Sequence, residues 1–291
     1  MAGDDRAPAR RTTMLLQDLL ADLAAEEQEL DTVVAALAAP DWLRPTPAAG
    51  WDIRDSLSHI CYVDEMATLA LTDPDAFETA RLARQEELAA GRAGDVELGR
   101  ELGEPRALLD RWRTSRAVLL DAAARAEPSL RVPWYGPSMG VASLVTARLM
   151  ETWAHGVDIL DGLTRPLVPT PRLRHVCHLG YGARAYAFRV HGVDDPGDPV
   201  GLSVRAPDGT EWHWGPDDAS DRITGSALDV ALVFTQRRHH SRTDVVATGR
   251  VAQQWLEIAQ AFAGPGTVTA VDRASSQTAS VSHSRPTSSH E

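Results

Sequence analysis

Apolar positions recur at helical spacing through most of the first half of the chain. Leu15, Leu19, Leu23, Leu30 and Val34 fall on one face, with acidic residues between them, which predicts a first helix over 14–37. Pro40, Pro45 and Pro47 end it. Asp52 is placed to cap a second helix over 53–71, whose apolar face carries Ile53, Leu57, Ile60 and Met66. The stretch 75–98, rich in Ala, Arg and Glu, predicts one or two exposed helices. Pro105 stands at a favoured first helical position, so a long helix runs from there to about 126. The loop EPSLRVPWYGPSMG separates it from a further helix over 141–160. Four long helices with modest connections predict a helical bundle.

The texture changes after Thr164. Pro166, Pro169 and Pro171 mark a boundary. A helix is expected over 173–190, then the strand-like runs GLSVRA and EWHWG around a PDG turn, a hairpin signal. Amphipathic helices follow over 226–237 and 250–262. From Gly264 onward Gly, Ser, Thr and Pro predominate, a composition unable to bury a core. The expected organisation is a disordered N-terminus (1–13), a helical bundle (14–165), a small α+β domain (166–263) and a disordered tail (264–291). The fold class is α+β, mostly α. His283 and His290 fall in the tail and are discounted as ligands.

Composition then narrows the chemistry. All 29 basic residues are arginine, and the chain has no lysine and no asparagine. Without lysine, Schiff-base and pyridoxal-phosphate catalysis are excluded, as is the lysine-bearing phosphate loop of nucleotide hydrolases. The formal net charge of −12 repels phosphate backbones, so no nucleic-acid partner is expected. No apolar run reaches the roughly 20 residues of a membrane span, and the start, MAGDDRAPARR, does not read as a secretory signal. The expected location is the cytoplasm. Cys61 and Cys177 lie in apolar helical surroundings and read as buried thiols acting as small hydrophobes.

The segment ARLMETWAHGVDILDG carries the clearest chemistry. Glu151 and His155 are four apart, one helical turn, so both project from one face and can share one metal ion. The same spacing also suits an ordinary surface Glu–His pair. His59, on the second helix, is the best candidate for a third ligand, although a lone histidine on an apolar face is more often a core residue. His175 and His178 read as ordinary helix residues. His239 and His240 are adjacent and read as exposed or loop residues that point in different directions.

WDIRDSLSHI followed much later by METWAHGVDI resembles the DinB-like superfamily. More narrowly, the pair is similar to its mycothiol-dependent maleylpyruvate isomerase branch, over roughly 14–263. The resemblance implies a DinB-like four-helix bundle in which His59, Glu151 and His155 bind zinc, or another divalent metal such as Ni2+. It implies mycothiol as cosubstrate, bound as a metal thiolate that attacks an electrophilic small molecule. The reaction is then thiol S-transfer or isomerisation, and secondary metabolism is a setting the resemblance suggests. It also implies a catalytic arginine from the second domain, for which Arg237 and Arg238 are the candidates; both equally suit solvated charges at a helix C-terminus. The segments VPWYGPSMG, GPDDASDRITG, FTQRRH and WLEIAQAFAG resemble an actinobacterial subgroup of metal-binding proteins with no single reaction. Trp51, Trp134 and Tyr135 are candidates to line the mouth of the pocket and equally suit hydrophobic plugs at the bundle end; Arg148 and Asp158 are candidates to support the ligands from behind, although such positions more often hold surface or packing residues. Two further readings stay open: a thiol-independent metal enzyme, hydrolytic or Lewis-acidic, and a non-catalytic metal- or ligand-binding protein. The expected partners are a small electrophile and a low-molecular-weight thiol, with the protein a monomer or homodimer.

Overall fold

The computed structural model describes residues 6–91, 100–102 and 104–264. The expected tail, with His283 and His290, and the end of the helical stretch expected over 75–98 lie outside those residues. The chain divides into two compact units, with the division between Val168 and Pro169, beside the expected boundary at 165.

The first unit is helical. Its α-helices are α1 (Arg6–Ala35), α2 (Ile53–Thr72), α3 (Pro74–Ala89), α4 (Pro105–Arg125) and α5 (Val141–Gly162). α1 begins inside the stretch expected to be a disordered N-terminus. Arginine and alanine favour helix there, and Pro8 falls in the first turn, where its missing N–H is harmless. α2 starts where Asp52 predicts. The Asp52 carboxylate accepts from Asp55 N at 2.8 Å while the Asp55 carboxylate accepts from Asp52 N at 3.2 Å, a reciprocal cap. A short hairpin, β1 (Arg131–Val132) with β2 (Met139–Gly140), leads into α5. Two-residue strands carry too little alternation to be seen in a sequence.

α1, α2, α4 and α5 pack against one another. Leu30 and Val34 of α1, Leu57 and Ile60 of α2, Leu108 and Trp112 of α4 and Ile159 of α5 share one apolar core. Trp112 and Leu57 are fully buried; burying a side chain of this size is worth roughly 1.5–3 kcal/mol.

Charged groups cross that core. Arg148 of α5 donates from Nε to Asp64 Oδ1 of α2 at 2.9 Å, and the two side chains are 1% and 0% exposed. Trp112 of α4 donates its indole N–H to Asp64 Oδ2 at 3.2 Å. Glu27 of α1 is buried nearby, and its Oε1 has no hydrogen-bond partner among the described residues. Burial pushes both carboxyls up. Asp64 holds the guanidinium and the indole N–H, so it keeps the negative charge. Glu27 takes the proton: burial, then the Asp64 charge, raise it to about 9. At the edge of the same interface Arg113 and Arg116 both reach Asp31 of α1 at 2.6 Å.

The second unit is a four-stranded sheet with short helices. The helices are α6 (Leu173–Gly182), α7 (Arg184–Val190), α8 (Ala227–Phe234) and α9 (Arg250–Ile258). The strands are β3 (Val200–Arg205), β4 (Glu211–Trp214), β5 (Asp221–Ser226) and β6 (Val246–Thr248), in the order β4-β3-β5-β6. β3 and β4 form the hairpin expected around PDG. β5 runs parallel to β3, with Val200 opposite Asp221, and β6 closes the edge antiparallel to β5. The single helix expected over 173–190 is two, interrupted at Ala183 just after the weak helix formers Gly180 and Gly182. The helix expected over 226–237 stops at Phe234, because Gln236 turns left-handed at φ 59. α9 likewise ends at Ile258, short of the expected 262.

Phe234 stacks on Trp255 with ring centroids 5.5 Å apart. Gly180 of α6 lies directly on the Phe234 ring, where any Cβ would overlap it. Among the described residues no helix is long and apolar enough to cross a membrane.

Two stability measurements check this packing. Gly180→Ala is expected to lower the melting temperature by the equivalent of about 1–3 kcal/mol, the usual penalty of overpacking; an unchanged melt would show that the ring yields freely. For Glu27, the folded pKa lies above the unfolded one, so the stability present below the ordinary carboxylate pKa of 4.5 is lost as pH rises toward 9. Glu27→Gln imitates the protonated acid. It is expected to melt higher than the wild type at pH 8, with the difference shrinking toward pH 5; the slope between them is at most about 1.4 kcal/mol per pH unit. A difference that does not vary with pH would place an ionised Glu27 in the core.

Candidate metal centre

Three side chains from two helices far apart in sequence meet in the first unit. His59 comes from the middle of α2, and Glu151 and His155 from successive turns of α5. One donor atom from each lies within 4.8 Å of the other two. His155 Nε2 is 3.5 Å from Glu151 Oε2. The imidazoles of His59 and His155 meet edge to face with centroids 4.8 Å apart. His155 is buried, and His59 and Glu151 are half-buried.

Asp158, one turn beyond His155, is buried, with Oδ2 3.1 Å from His155 Nδ1. A carboxylate there accepts the Nδ1 proton while a protonated ring turns Nε2–H toward Glu151; loss of that second proton would free the Nε2 lone pair for a cation, the arrangement that supports histidine ligands in metal sites. Glu151 is acidic for a half-buried carboxyl. Burial alone raises its pKa, but hydrogen bonding to His155 and the positive fields of His155, His59 and Arg148 outweigh that and bring it to about 2. It stays a carboxylate at any physiological pH.

The other residues expected at the site are placed as follows. Trp51, just ahead of α2, lies over both imidazoles, 5.6 Å from His155 in a stacked arrangement and 5.3 Å from His59. Arg148 spends its fork on Asp64 and on the Ile60 carbonyl of α2. Trp134 and Tyr135 surround Phe77 of α3, with Trp134 stacked on that ring at 5.7 Å. Arg237 and Arg238 lie in the second unit, in the turn after α8. Their N–H groups donate to Leu232 O, at 2.8 and 3.2 Å. Their guanidinium Nη1 atoms donate to Thr235 O and Arg237 O, each at 2.9 Å.

Asp64 carries no motif of its own in the sequence. Its signal was an acidic residue on the apolar side of α2, five positions after His59. The run Gly136-Pro137-Ser138-Met139-Gly140 also spells the GxSxG pattern of a hydrolase nucleophile elbow. Here Ser138 is exposed in the loop ahead of β2, with Arg131 donating to its hydroxyl at 3.3 Å and also to its carbonyl, not at a strand-to-helix turn. Both cysteines are buried, and burial raises each thiol to about 12. His178 accepts from the Trp214 indole at 3.1 Å.

Two imidazole nitrogens and a carboxylate oxygen suit a borderline divalent cation such as Zn2+ or Ni2+ better than Mg2+ or Ca2+. The half-buried Glu151 carboxylate, the two imidazoles and the Asp158 support together fit such an ion. Three protein ligands leave a tetrahedral ion one position for an exogenous group.

Comparison with known proteins agrees with this architecture. The family model described as the mycothiol maleylpyruvate isomerase N-terminal domain matches residues 23–160, the span that contains all three donors. An uncharacterized protein of Mycobacterium tuberculosis is 45% identical over 251 residues, covering 84% of this chain and 95% of its own length. The crystal structure of a mycothiol-dependent maleylpyruvate isomerase aligns with a TM-score of 0.53 at 16% identity, over 80% of this chain and 92% of that one. A histidine-to-alanine mutant of that enzyme aligns with a TM-score of 0.52 at 17% identity.

Replacing Asp158 by asparagine keeps the shape and removes the charge behind His155. Zn2+ affinity, measured by competition with a chromophoric chelator, is expected to weaken by about 10–100-fold with the circular dichroism unchanged. Full retention of affinity would mean that Asp158 does not support a ligand.

Proposed function

The chain belongs to the mycothiol maleylpyruvate isomerase N-terminal domain family, and from that premise we propose that it is a metal-dependent enzyme using mycothiol as cosubstrate on a small electrophile, either isomerising or conjugating it. The observation that carries this reading is the convergence of His59, Glu151 and His155 donor atoms within 4.8 Å, with Asp158 behind His155 and Trp51 across both imidazoles.

Each neighbouring group has a part in the proposal. His59, Glu151 and His155 hold the ion. Glu151 brings a permanent negative charge that offsets part of the cation's. Asp158 fixes the ring orientation of His155. Trp51 covers the imidazoles and limits water on that side. A bound zinc-class ion supplies Lewis acidity, which ionises a coordinated thiol at neutral pH; a free thiol, with a pKa near 8.5, is largely protonated there.

The protein's own cysteines do not supply that nucleophile. Cys61 and Cys177 are buried and held protonated, each near 12, so a thiol-based reaction draws its sulfur from a soluble cosubstrate. Mycothiol is the thiol named for the solved structural relatives. The electrophile's class follows from the chemistry: a small molecule with a carbon that a thiolate can add to and later leave, such as the conjugated double bond of a maleylpyruvate-like acid. Addition followed by rotation and expulsion of the thiol isomerises the double bond; retention of the thiol gives a conjugate.

The test uses the full chain loaded with Zn2+. Mycothiol and a panel of conjugated acids and ketones are added, and isomer and conjugate are read by absorbance and mass spectrometry. Turnover that requires both metal and mycothiol is expected. His155→Ala should lose metal and at least about a thousandfold in turnover while keeping its fold, as loss of a ligand at a metal-activated nucleophile implies. Fully metallated protein that neither binds mycothiol nor turns over any member of the panel would overturn the reading. Turnover indifferent to the thiol would replace it with metal-assisted hydrolysis or Lewis-acid catalysis.

A further inference from the structure

A second group of metal-binding side chains lies in the C-terminal unit. Adjacent histidines on a regular helix or strand diverge, so the sequence alone argues against a shared site for His239 and His240. The backbone is not regular there. His239 is extended, at φ −72 and ψ 142, and caps a single 3-10 turn over His240–Arg242. The change of conformation between the two residues brings their rings to the same side, with centroids 4.2 Å apart. The last turn of α9 then brings up Glu257. His240 Nε2 is 2.8 Å from Glu257 Oε1 and His239 Nε2 is 3.9 Å from Glu257 Oε2. All three donor atoms lie within 4.8 Å of one another.

We propose that His239, His240 and Glu257 form a second site for a zinc-class divalent cation, built wholly within the C-terminal unit. The donor set is two imidazole nitrogens and one carboxylate, which selects Zn2+, Ni2+ or Cu2+ over Mg2+ and Ca2+. The spacing fits as well. Ligand atoms about 2.0–2.1 Å from a tetrahedral zinc stand about 3.4 Å apart. The contacts to the two Glu257 oxygens, 2.8 Å from His240 Nε2 to Oε1 and 3.9 Å from His239 Nε2 to Oε2, bracket that separation, and rotation of the exposed carboxylate brings one oxygen to it from both rings.

The surroundings favour the Nε2 atoms as the ligand atoms. His239 Nδ1 faces Ser241, 2.8 Å from Oγ and 3.2 Å from N. With an ion on Nε2 the ring proton moves to Nδ1, where Ser241 Oγ accepts it in exchange for the cap from Ser241 N–H; a hydroxyl behind a histidine ligand is a common support. Glu257 is 60% exposed as a side chain, so an ion enters from solvent without any opening of the core. Two segments that the backbone joins only through β6 are thereby fastened: the turn that follows Arg237 and Arg238, and the end of α9. The expected role is to order that turn, and the site does not depend on the function proposed for the His59 centre.

The experiment counts zinc. Tag-free full-length protein is stripped, dialysed against buffered Zn2+ and analysed for metal per chain alongside His155→Ala, His240→Ala, Glu257→Gln and the double variant His155→Ala/His240→Ala. The expected result is that His240→Ala and Glu257→Gln each hold one equivalent fewer than wild type, that His155→Ala keeps the equivalent His240→Ala loses, and that Zn2+ raises the melting temperature of His155→Ala but not of the double variant. Glu257→Gln, on an exposed side chain, keeps the test valid if His240→Ala folds poorly. Equal zinc content in wild type and both single variants of this cluster would overturn the proposal and leave a hydrogen-bonded His–Glu group. If instead the His59 centre alone fails to bind metal, wild type holds a single equivalent that His240→Ala removes and His155→Ala does not.

Discussion

The ion pair between Arg148 and Asp64 is the contact on which the first unit depends. It joins α5 to α2 at 2.9 Å with both side chains out of solvent, and the Trp112 indole ties α4 to the same carboxylate. Removing one partner of such a pair strands a charge in the core, at about 3–5 kcal/mol. Its place matters as much as its strength. Asp64 is five residues beyond His59 on α2, and Arg148 is three residues before Glu151 on α5. The pair therefore fixes the mutual position of the two helices about one turn from the metal ligands. A slip of α2 along α5 would break the pair before it could part His59 from Glu151 and His155.

The same core shows how a helical unit tolerates several ionisable groups at once. Each charge has a counter-charge or a proton. Asp64 has Arg148 and Trp112, Asp31 has Arg113 and Arg116, and Glu27 is neutral. Glu151, half-buried, has His59 and His155 as its nearest positive partners, with Arg148 adding a further positive field, so its charge is best balanced where those rings are positive or a cation is held among them. The electrostatics of the fold thus lead to the same three side chains as the donor geometry does.

The second unit solves a different problem with less material. Its sheet has one parallel pair, β3 with β5, between antiparallel neighbours, and its helices are short. Close approach compensates: Gly180 lets α6 rest on the Phe234 ring, and Trp255 stacks behind it. The irregular turn after α8 is the consequence with chemical interest, since it turns two adjacent histidines toward Glu257.

The long helices were legible because apolar spacing and caps act locally. Asp52, Pro105 and the alternation along 141–160 place α2, α4 and α5 within a residue or two. Glu151 and His155 were legible for the same reason, since helical pitch alone puts them on one face. The breaks at Ala183 and after Phe234, the two-residue strands of the hairpin and the parallel partnership of β5 were not, because each rests on a contact made across the fold or on one residue's φ. His59 is the sharpest case. The chain's own pattern gave it only as a histidine on an apolar face; its meeting with α5 belongs to helix packing, which depends on Asp64, Arg148 and Trp112 together. His239 and His240 reverse the lesson: adjacency in sequence argued against a shared site, and only a change of backbone conformation between them, with a helix end arriving from beyond β6, brought their nitrogens to one carboxylate.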